Sequence, residues 1–190
     1  GLDALPELTE LESRSRDYRV SSLIADIYVE AGQVDRALRS LERAIGKAEA
    51  SGDRQALGNL LVKLGLLERS LGREADAAAS FEQATKVDAG SWEAQYNLGV
   101  SLLEAGRTRE ALNPLQTAES LASDNGQVAL ALASAYDQLA RPADALGAAR
   151  RALAQLDDDA ALIEARFIAG RNAYRLGDYG AARDLLEQVV

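Results

Sequence analysis

Residues 92–106, WEAQYNLGVSLLEAG, combine the apolar spacing of a helix with two glycines that stand seven residues apart. A glycine inside a helix costs about 1 kcal/mol relative to alanine, so Gly99 needs a packing reason. Gly106 follows the last apolar residues of the pattern, where a glycine commonly ends a helix because it tolerates the left-handed backbone conformation. The stretch therefore predicts a helix that packs closely against a neighbour at Gly99 and ends at Gly106.

Small residues recur at this seven-residue spacing along most of the chain. The five pairs are Ala25 and Gly32, Gly65 and Gly72, Gly99 and Gly106, Ala133 and Ala140, and Gly170 and Gly177. Five residues after every pair there is an alanine, and four residues later stands a further apolar residue: Leu41, Phe81, Leu115, Ala149 and Leu186. A pattern that recurs five times along one chain is typical of repeat proteins, in which each repeat is one supersecondary unit that packs on the next.

The pattern resembles the tetratricopeptide repeat, a 34-residue unit with the signature W-x2-L-G-x2-Y, then A-x3-F and then P. The distances from Gly72 to Gly106 and from Gly106 to Ala140 are both 34 residues. The distance from Gly32 to Gly72 is 40 residues and that from Ala140 to Gly177 is 37 residues, so we place extra residues near 51–55 and 157–161. The tryptophan column and the closing proline of the family are not kept.

The resemblance implies an all-α, right-handed superhelix of about five helix-turn-helix repeats. In this register the repeats start near residues 18, 58, 92, 126 and 163, and residues 1–17 form part of a preceding repeat or a capping helix. Gly99 and Ala111 would let the two helices of one repeat approach closely, while Leu115 would face the next repeat.

Three successive aspartates, Asp157-Asp158-Asp159, allow two interpretations. Clustered carboxylates suit a hard cation, but a solvated loop that ends in an N-cap at Asp159 explains them without a metal, and we favour the loop. Asp53 is predicted to cap a helix in the same way. Pro142 should lie in the first turn of its helix, where a missing N–H breaks no hydrogen bond.

Composition excludes several functional classes. The 190 residues include 21 basic and 30 acidic side chains, and the net charge of -9 opposes binding to nucleic acid and to anionic membranes. Cysteine and histidine are absent, which excludes thiolate nucleophiles, Cys/His zinc sites and Ser-His catalysis. No apolar run approaches the roughly 20 residues of a membrane span, and no glycine motif suits a phosphate. We therefore expect no enzyme, cofactor, metal site, nucleic-acid partner or membrane insertion.

In the family, a partner lies on a concave face formed by the second, fifth, sixth, ninth, twelfth and thirteenth positions of each repeat. Applied to this chain, the resemblance implies a groove formed by Lys63, Leu66, Arg69, Tyr96, Asn97, Val100, Leu130, Ser134, Phe167, Arg171, Tyr174 and Arg175. The lysine and asparagine pair with which some relatives hold a C-terminal carboxylate is absent. We expect a partner that presents apolar side chains to the middle of the groove and an acidic group to Arg171 and Arg175.

These expectations describe a non-catalytic scaffold for protein–protein interaction that binds a peptide segment of its partner. Two alternatives stay open. The apolar groove residues Val62, Val100 and Leu130 could merely pack between helices, or the protein could associate with itself through helix ends or its convex face.

The two ends of the sequence give further expectations. At the C-terminal end, apolar residues of the last helix lack a following repeat, which predicts either a contact with a second copy or a further helix outside this segment. These residues are Leu185, Leu186, Val189 and Val190. The chain begins with Gly1 instead of methionine, so we expect a segment of a longer protein, and the cellular compartment stays open.

Overall fold

The computed structural model describes residues 5–189, apart from the side chains of residues 5, 6 and 8. Within these residues there are eleven α-helices and no strand. The helices are α1 (Leu5–Arg14), α2 (Tyr18–Glu30), α3 (Val34–Ser51), α4 (Arg54–Ser70), α5 (Glu74–Val87), α6 (Trp92–Glu104), α7 (Thr108–Leu121), α8 (Gly126–Gln138), α9 (Pro142–Gln155), α10 (Asp159–Arg175) and α11 (Tyr179–Leu186), and a 3₁₀ turn (Glu187–Val189) follows. The predicted all-α repeat fold is confirmed.

The chain divides into two compact units between Ala89 and Gly90. The first unit contains α1 and the helix pairs α2/α3 and α4/α5, and the second contains α6/α7, α8/α9 and α10/α11. A turn of three residues joins the two helices of every pair. Since so short a connection makes neighbouring helices antiparallel, each pair is a helix-turn-helix hairpin.

The turn inside each pair has one backbone conformation. Its middle residue is left-handed in all five turns, with φ of 69° at Gly32, 71° at Gly72, 72° at Gly106, 55° at Ala140 and 83° at Gly177. The next residue donates its N–H to a carbonyl in the last turn of the first helix, as Arg107 does to Leu102 at 2.8 Å. This hydrogen bond satisfies a carbonyl that the helix end would leave unpaired. The prediction that Gly106 ends its helix is confirmed.

Glycine in the first helix of three pairs lets a large side chain of the second helix lie against the backbone. The three combinations are Gly65 with Phe81, Gly99 with Leu115, and Gly170 with Leu186. A Cβ atom on Gly99 would lie 2.4 Å from Leu115 Cγ, closer than two carbon atoms can approach. The predicted packing role of Gly99 is therefore confirmed.

One detail of the crossing at Gly99 differs from the sequence-based expectation. Leu115 was expected to face the next repeat, but its side chain lies against Gly99 of its own repeat, because the two helices cross at that point. In the fourth pair, α8/α9, alanine occupies both of the corresponding positions, and Ala133 and Ala149 are fully buried. A small side chain on each helix thus replaces the combination of glycine with a large side chain.

The extra residues lengthen helices instead of loops. Helices α4 and α10 have 17 residues, one turn more than the 13 residues of α2, α6 and α8. Both therefore begin four residues before the predicted positions 58 and 163, at Arg54 and Asp159. The extra residues continue each helix by one turn towards its N-terminus, and a capping aspartate precedes each helix.

The N-caps of these two helices are aspartates, one of them displaced by one residue from the prediction. Asp53 accepts a hydrogen bond from the Ala56 N–H at 3.0 Å, as predicted. The second cap is Asp158, which accepts from the Ala161 N–H at 2.8 Å, and Asp159 is already helical. Pro142 is the first residue of α9, which confirms its predicted place.

A buried carboxylate connects α1 to the other helices of the first unit. The Glu12 side chain is fully buried, and its Oε2 accepts a hydrogen bond from Arg43 of α3 at 2.7 Å. Lys47 of α3 donates to the Glu12 carbonyl at 3.0 Å and to Ser21 Oγ of α2 at 2.7 Å. These bonds hold the end of α1 against both helices of the first pair.

We predict that Gly99→Ala destabilises the protein by about 1–3 kcal/mol, because the new methyl group would displace the buried Leu115 side chain. Urea-induced unfolding followed by circular dichroism measures the change. The matched control is Gly46→Ala in α3, where a Cβ would meet nothing within 4 Å. That variant should gain about 0.5–1 kcal/mol from helix propensity. A gain of stability in both variants would contradict the tight crossing at Gly99.

We also predict that Ala140→Gly stabilises the protein by up to about 1 kcal/mol, because glycine removes the steric cost of the left-handed conformation. The control is Ala79→Gly, at an exposed position in the middle of α5. There the same substitution should cost about 1 kcal/mol. The two unfolding midpoints should therefore shift in opposite directions, and a destabilised Ala140→Gly variant would refute the argument.

Candidate functional site

Three helices of the second unit form a depression on one face. Its volume is about 350 Å³, and its lining comprises Tyr96, Val100, Leu103 and Glu104 of α6, Gln127, Leu130, Ala131, Ser134 and Gln138 of α8, and Glu164 of α10. We call it the α6/α8/α10 depression. All ten residues stand at positions that the family resemblance assigned to a concave face. The structure thus brings Tyr96, Val100, Leu130 and Ser134 of the expected groove together.

The floor of the depression is apolar and belongs to the core of the second unit. Leu130 and Ala131 are buried, with exposed fractions of 6% and 9%. Tyr96, Val100 and Leu103 are half-buried and pack against the same core. Leu130 therefore serves chiefly to pack the helices together, as the simpler interpretation of the sequence holds, while the half-buried side chains present apolar surface to the depression.

The rim of the depression is polar and carries negative charge. The Gln138 side-chain amide donates a long hydrogen bond of 3.5 Å to Ser134 Oγ, and its Oε1 accepts from the Thr108 hydroxyl at 2.6 Å. Glu104 and Glu164 are exposed, and within the described part of the chain neither carboxylate has an ion-pair or hydrogen-bond partner. No lysine or arginine is among the lining residues.

A separate cluster of charged residues connects α8 with α10. Asp137 is 8% exposed and accepts hydrogen bonds from Arg171, from Arg175 at 2.7 Å and from Asn172 at 2.7 Å. The Arg171 guanidinium also lies over the Phe167 ring, 5.1 Å from its centroid. One buried carboxylate thus holds two guanidinium groups in place.

This cluster changes the expected role of the basic residues. Arg171 and Arg175 were expected to receive an acidic group of the partner, but both are paired with Asp137, and neither lines the depression. Phe167 and Tyr174 are exposed on α10 outside it, and the Tyr174 ring packs edge-on against Tyr179 at 5.3 Å.

Asn97 also has a structural role that sequence reasoning missed. It is buried, and its side-chain amide donates to the Glu93 carbonyl one turn earlier at 2.8 Å. Asn172 does the same towards Ile168, also at 2.8 Å. Because the side-chain amide of Asn97 bonds to its own helix and lies outside the lining of the depression, nothing supports a direct contact with a partner.

The remaining expected groove residues lie in the first unit. A depression of about 320 Å³ there is lined by Tyr18, Ser22, Asp53, Gln55, Ala56, Asn59, Leu60 and Lys63. Lys63 forms an ion pair with Asp26 at 2.5 Å and donates to Ser22 Oγ at 3.1 Å. Leu66 is exposed outside this lining, and the Arg69 guanidinium lies 5.7 Å from the centroid of the Phe81 ring.

The polar groups of this first depression are largely paired with one another. The Tyr18 hydroxyl donates to Asp53 Oδ2 at 3.1 Å, and this hydrogen bond to a carboxylate raises the pKa of Tyr18. Asp53 is at the same time the N-cap of α4. Because Lys63 is paired with Asp26, the depression in the first unit has fewer unpaired charges than the α6/α8/α10 depression.

The residues that the structure describes include neither a candidate metal site nor a candidate membrane span. No group of three or more aspartate or glutamate side chains is placed to hold a metal ion. No helix there is both long and apolar enough to cross a membrane. Of the three successive aspartates, Asp158 is engaged as a helix cap.

The apolar residues at the C-terminal end of the described chain are partly covered by the chain itself. Leu185, Leu186 and Val189 are half-buried, and Leu186 lies against Gly170 of α10. Val190, the fourth residue of that expectation, lies outside the described residues. A contact between two copies through this helix stays a prediction.

Comparisons with known proteins identify related folds. Family models of the tetratricopeptide repeat match residues 18–89 and 62–126. A search of curated proteins finds no match. Similar solved structures include MamA from Desulfovibrio magneticus RS-1, which is 21% identical, with a TM-score of 0.74 over 90% of this chain and 92% of that chain.

Two further solved structures are similar. YrrB, a TPR protein with an unusual peptide-binding site, is 17% identical, with a TM-score of 0.77 over 96% of this chain and 90% of that chain. A tetratricopeptide repeat protein from Parabacteroides merdae ATCC 43184 is 20% identical, with a TM-score of 0.76 over 92% and 66% of the two chains. At these identities the similarity concerns the fold alone.

We predict that Asp137→Asn destabilises the protein by about 1–3 kcal/mol, because it weakens charge-assisted hydrogen bonds to two guanidinium groups around a buried position. The control is Asp144→Asn, which breaks an exposed ion pair with Arg141. Such a pair contributes no more than about 1 kcal/mol. Urea unfolding of both variants tests the difference, and equal losses would show that the Asp137 cluster does not stabilise the α8–α10 contact.

Proposed function

Because the chain belongs to the tetratricopeptide repeat family, we propose that it is a non-catalytic scaffold that binds a peptide segment of a protein partner in the α6/α8/α10 depression. Proteins of this family act in protein–protein interaction. The proposal is more specific, because it names the second unit and one face of three helices as the binding surface.

The observation that carries the proposal is the convergence of ten side chains from three helices on one depression. An apolar floor with a polar rim is the usual composition of a surface that recognises a peptide, because the floor supplies burial and the rim selects and orients. The floor is held in place by the core of the unit, so the surface is largely formed before a partner arrives. A surface of this kind loses little conformational entropy on binding.

The comparisons add support at the level of fold. YrrB, which has a similar fold, is a TPR protein with an unusual peptide-binding site. The low identity transfers no residue from that site to this chain. The residues proposed here rest on the geometry of the depression.

We predict that filling the depression abolishes peptide binding. Ser134 lies half-exposed in its lining, so Ser134→Trp places a large side chain where the partner would bind. The probes are peptides selected on the wild-type protein from a phage-displayed library of random 12-residue sequences. Fluorescence polarisation should show a Kd at least about tenfold higher for Ser134→Trp, which is a loss of about 1.4 kcal/mol or more of binding free energy.

The matched control for this experiment is Ser120→Trp, at an exposed position in the last turn of α7 and outside the depression. This variant should bind the selected peptides like the wild type. Circular dichroism and the thermal midpoint establish that both variants fold. Unchanged binding by a folded Ser134→Trp variant, or a selection that yields no binding peptide, would refute the proposed function.

A further inference from the structure

We infer that the α6/α8/α10 depression selects a cationic segment, in which lysine or arginine residues flank the apolar side chain that covers the floor. This inference rests on the proposed function and adds the charge of the partner to it. It reverses the expectation from sequence, which placed an acidic group of the partner beside Arg171 and Arg175.

The lining of the depression carries two negative charges and no positive charge. Glu104 and Glu164 are the only carboxylates of the lining, both are exposed, and neither has an ion-pair or hydrogen-bond partner within the described residues. The lining has no lysine or arginine to offset them. A bound segment that covers the floor would bring its own polar groups next to these two carboxylates and displace water from them. A lysine or arginine is then favoured, and an aspartate or glutamate is disfavoured by like-charge repulsion.

Two helices end at the depression. Glu104 is the last residue of α6 and Gln138 the last residue of α8, and both line the depression. The C-terminal end of a helix carries partial negative charge from its aligned peptide dipoles, and this charge favours a nearby cation. Two helix ends therefore add partial negative charge to the lining that Glu104 belongs to.

The two arginines of α10 that were expected on the binding face are already paired. Arg171 and Arg175 lie on α10, but the buried Asp137 carboxylate accepts hydrogen bonds from both. Their guanidinium groups are directed to this carboxylate and are absent from the lining. Of the two positive charges, Asp137 offsets one at short range. At longer range, the net charge of -9 on the whole chain also attracts a cationic segment.

The experiment compares three phage-displayed libraries of 12-residue peptides. They share the same randomised apolar positions and differ only in their fixed flanking positions, which hold lysine, glutamine or glutamate. Clones from the lysine library should be enriched on the wild-type protein, and replacing the flanking lysines of a selected peptide with glutamate should weaken its binding. Each exposed ion pair changes affinity by about two- to fivefold, and the effect should fall with added salt.

The decisive variant is Glu104→Gln with Glu164→Gln, which removes both rim carboxylates and keeps their size. The preference for lysine over glutamate should fall by about four- to twenty-five-fold, as expected for two exposed pairs. The control is Asp124→Asn with Asp157→Asn, because these exposed loop residues of the same unit lie outside the depression. The control changes the net charge equally and should keep the preference.

The outcomes separate the inference from the proposed function. If the glutamine or glutamate library binds as well as the lysine library, and Ser134→Trp abolishes that binding, the depression binds peptides and the charge inference is wrong. If the control loses the preference as much as the rim variant does, the net charge of the chain causes it and the inference is again wrong. If no library binds, or if Ser134→Trp leaves binding unchanged, both the proposed function and the inference are wrong.

Discussion

The close crossing of the two helices within a pair is the constraint on which this structure depends. Where the first helix carries Gly65, Gly99 or Gly170, there is no room for even a methyl group, because a large side chain of the second helix occupies the space. The left-handed turn reverses the chain in the same way in each pair, and so places the small residue of the first helix opposite its packing partner on the second. The crossing and the turn together define the repeat.

The same crossing determines which face of α6 contributes to the proposed binding surface. Val100 follows Gly99 directly, and successive residues of an α-helix are about 100° apart around its axis. With the glycine face held against α7, Val100 and its neighbours Tyr96 and Leu103 lie on a different face, which contributes to the α6/α8/α10 depression. The packing residue and the proposed binding residues are therefore parts of one helical register.

Ion pairing then decides the electrostatic character of the site. Lys63 is bound by Asp26 in the first unit, and Asp137 holds Arg171 and Arg175 in the second. Basic side chains that a sequence pattern places on a binding face thus serve as contacts between helices. The rim carboxylates Glu104 and Glu164 remain without such partners within the described residues, so the depression is negative. The charge of a repeat protein's binding face depends on which of its charges the fold has already paired.

The sequence by itself determined the all-α repeat fold, the tight packing at Gly99, the turn at Gly106 and the cap at Asp53. Each depends on residues close along the chain or on a period that repeats five times, so local stereochemistry is enough to find it. The repeat register places the starts of α4 and α10 only approximately, because extra residues can lengthen either a loop or a helix, and composition alone does not distinguish the two.

Only the tertiary structure decided the role of the charged residues. Asp137 is 34 residues from Arg171 and 38 from Arg175, and a chain with 30 acidic side chains offers many other partners at similar separations. One signal was present in the sequence, since Asp137 and the two arginines occupy neighbouring positions in the registers of successive repeats. The energy of an ion pair depends on distance and burial, however, and both are fixed only when α8 packs against α10.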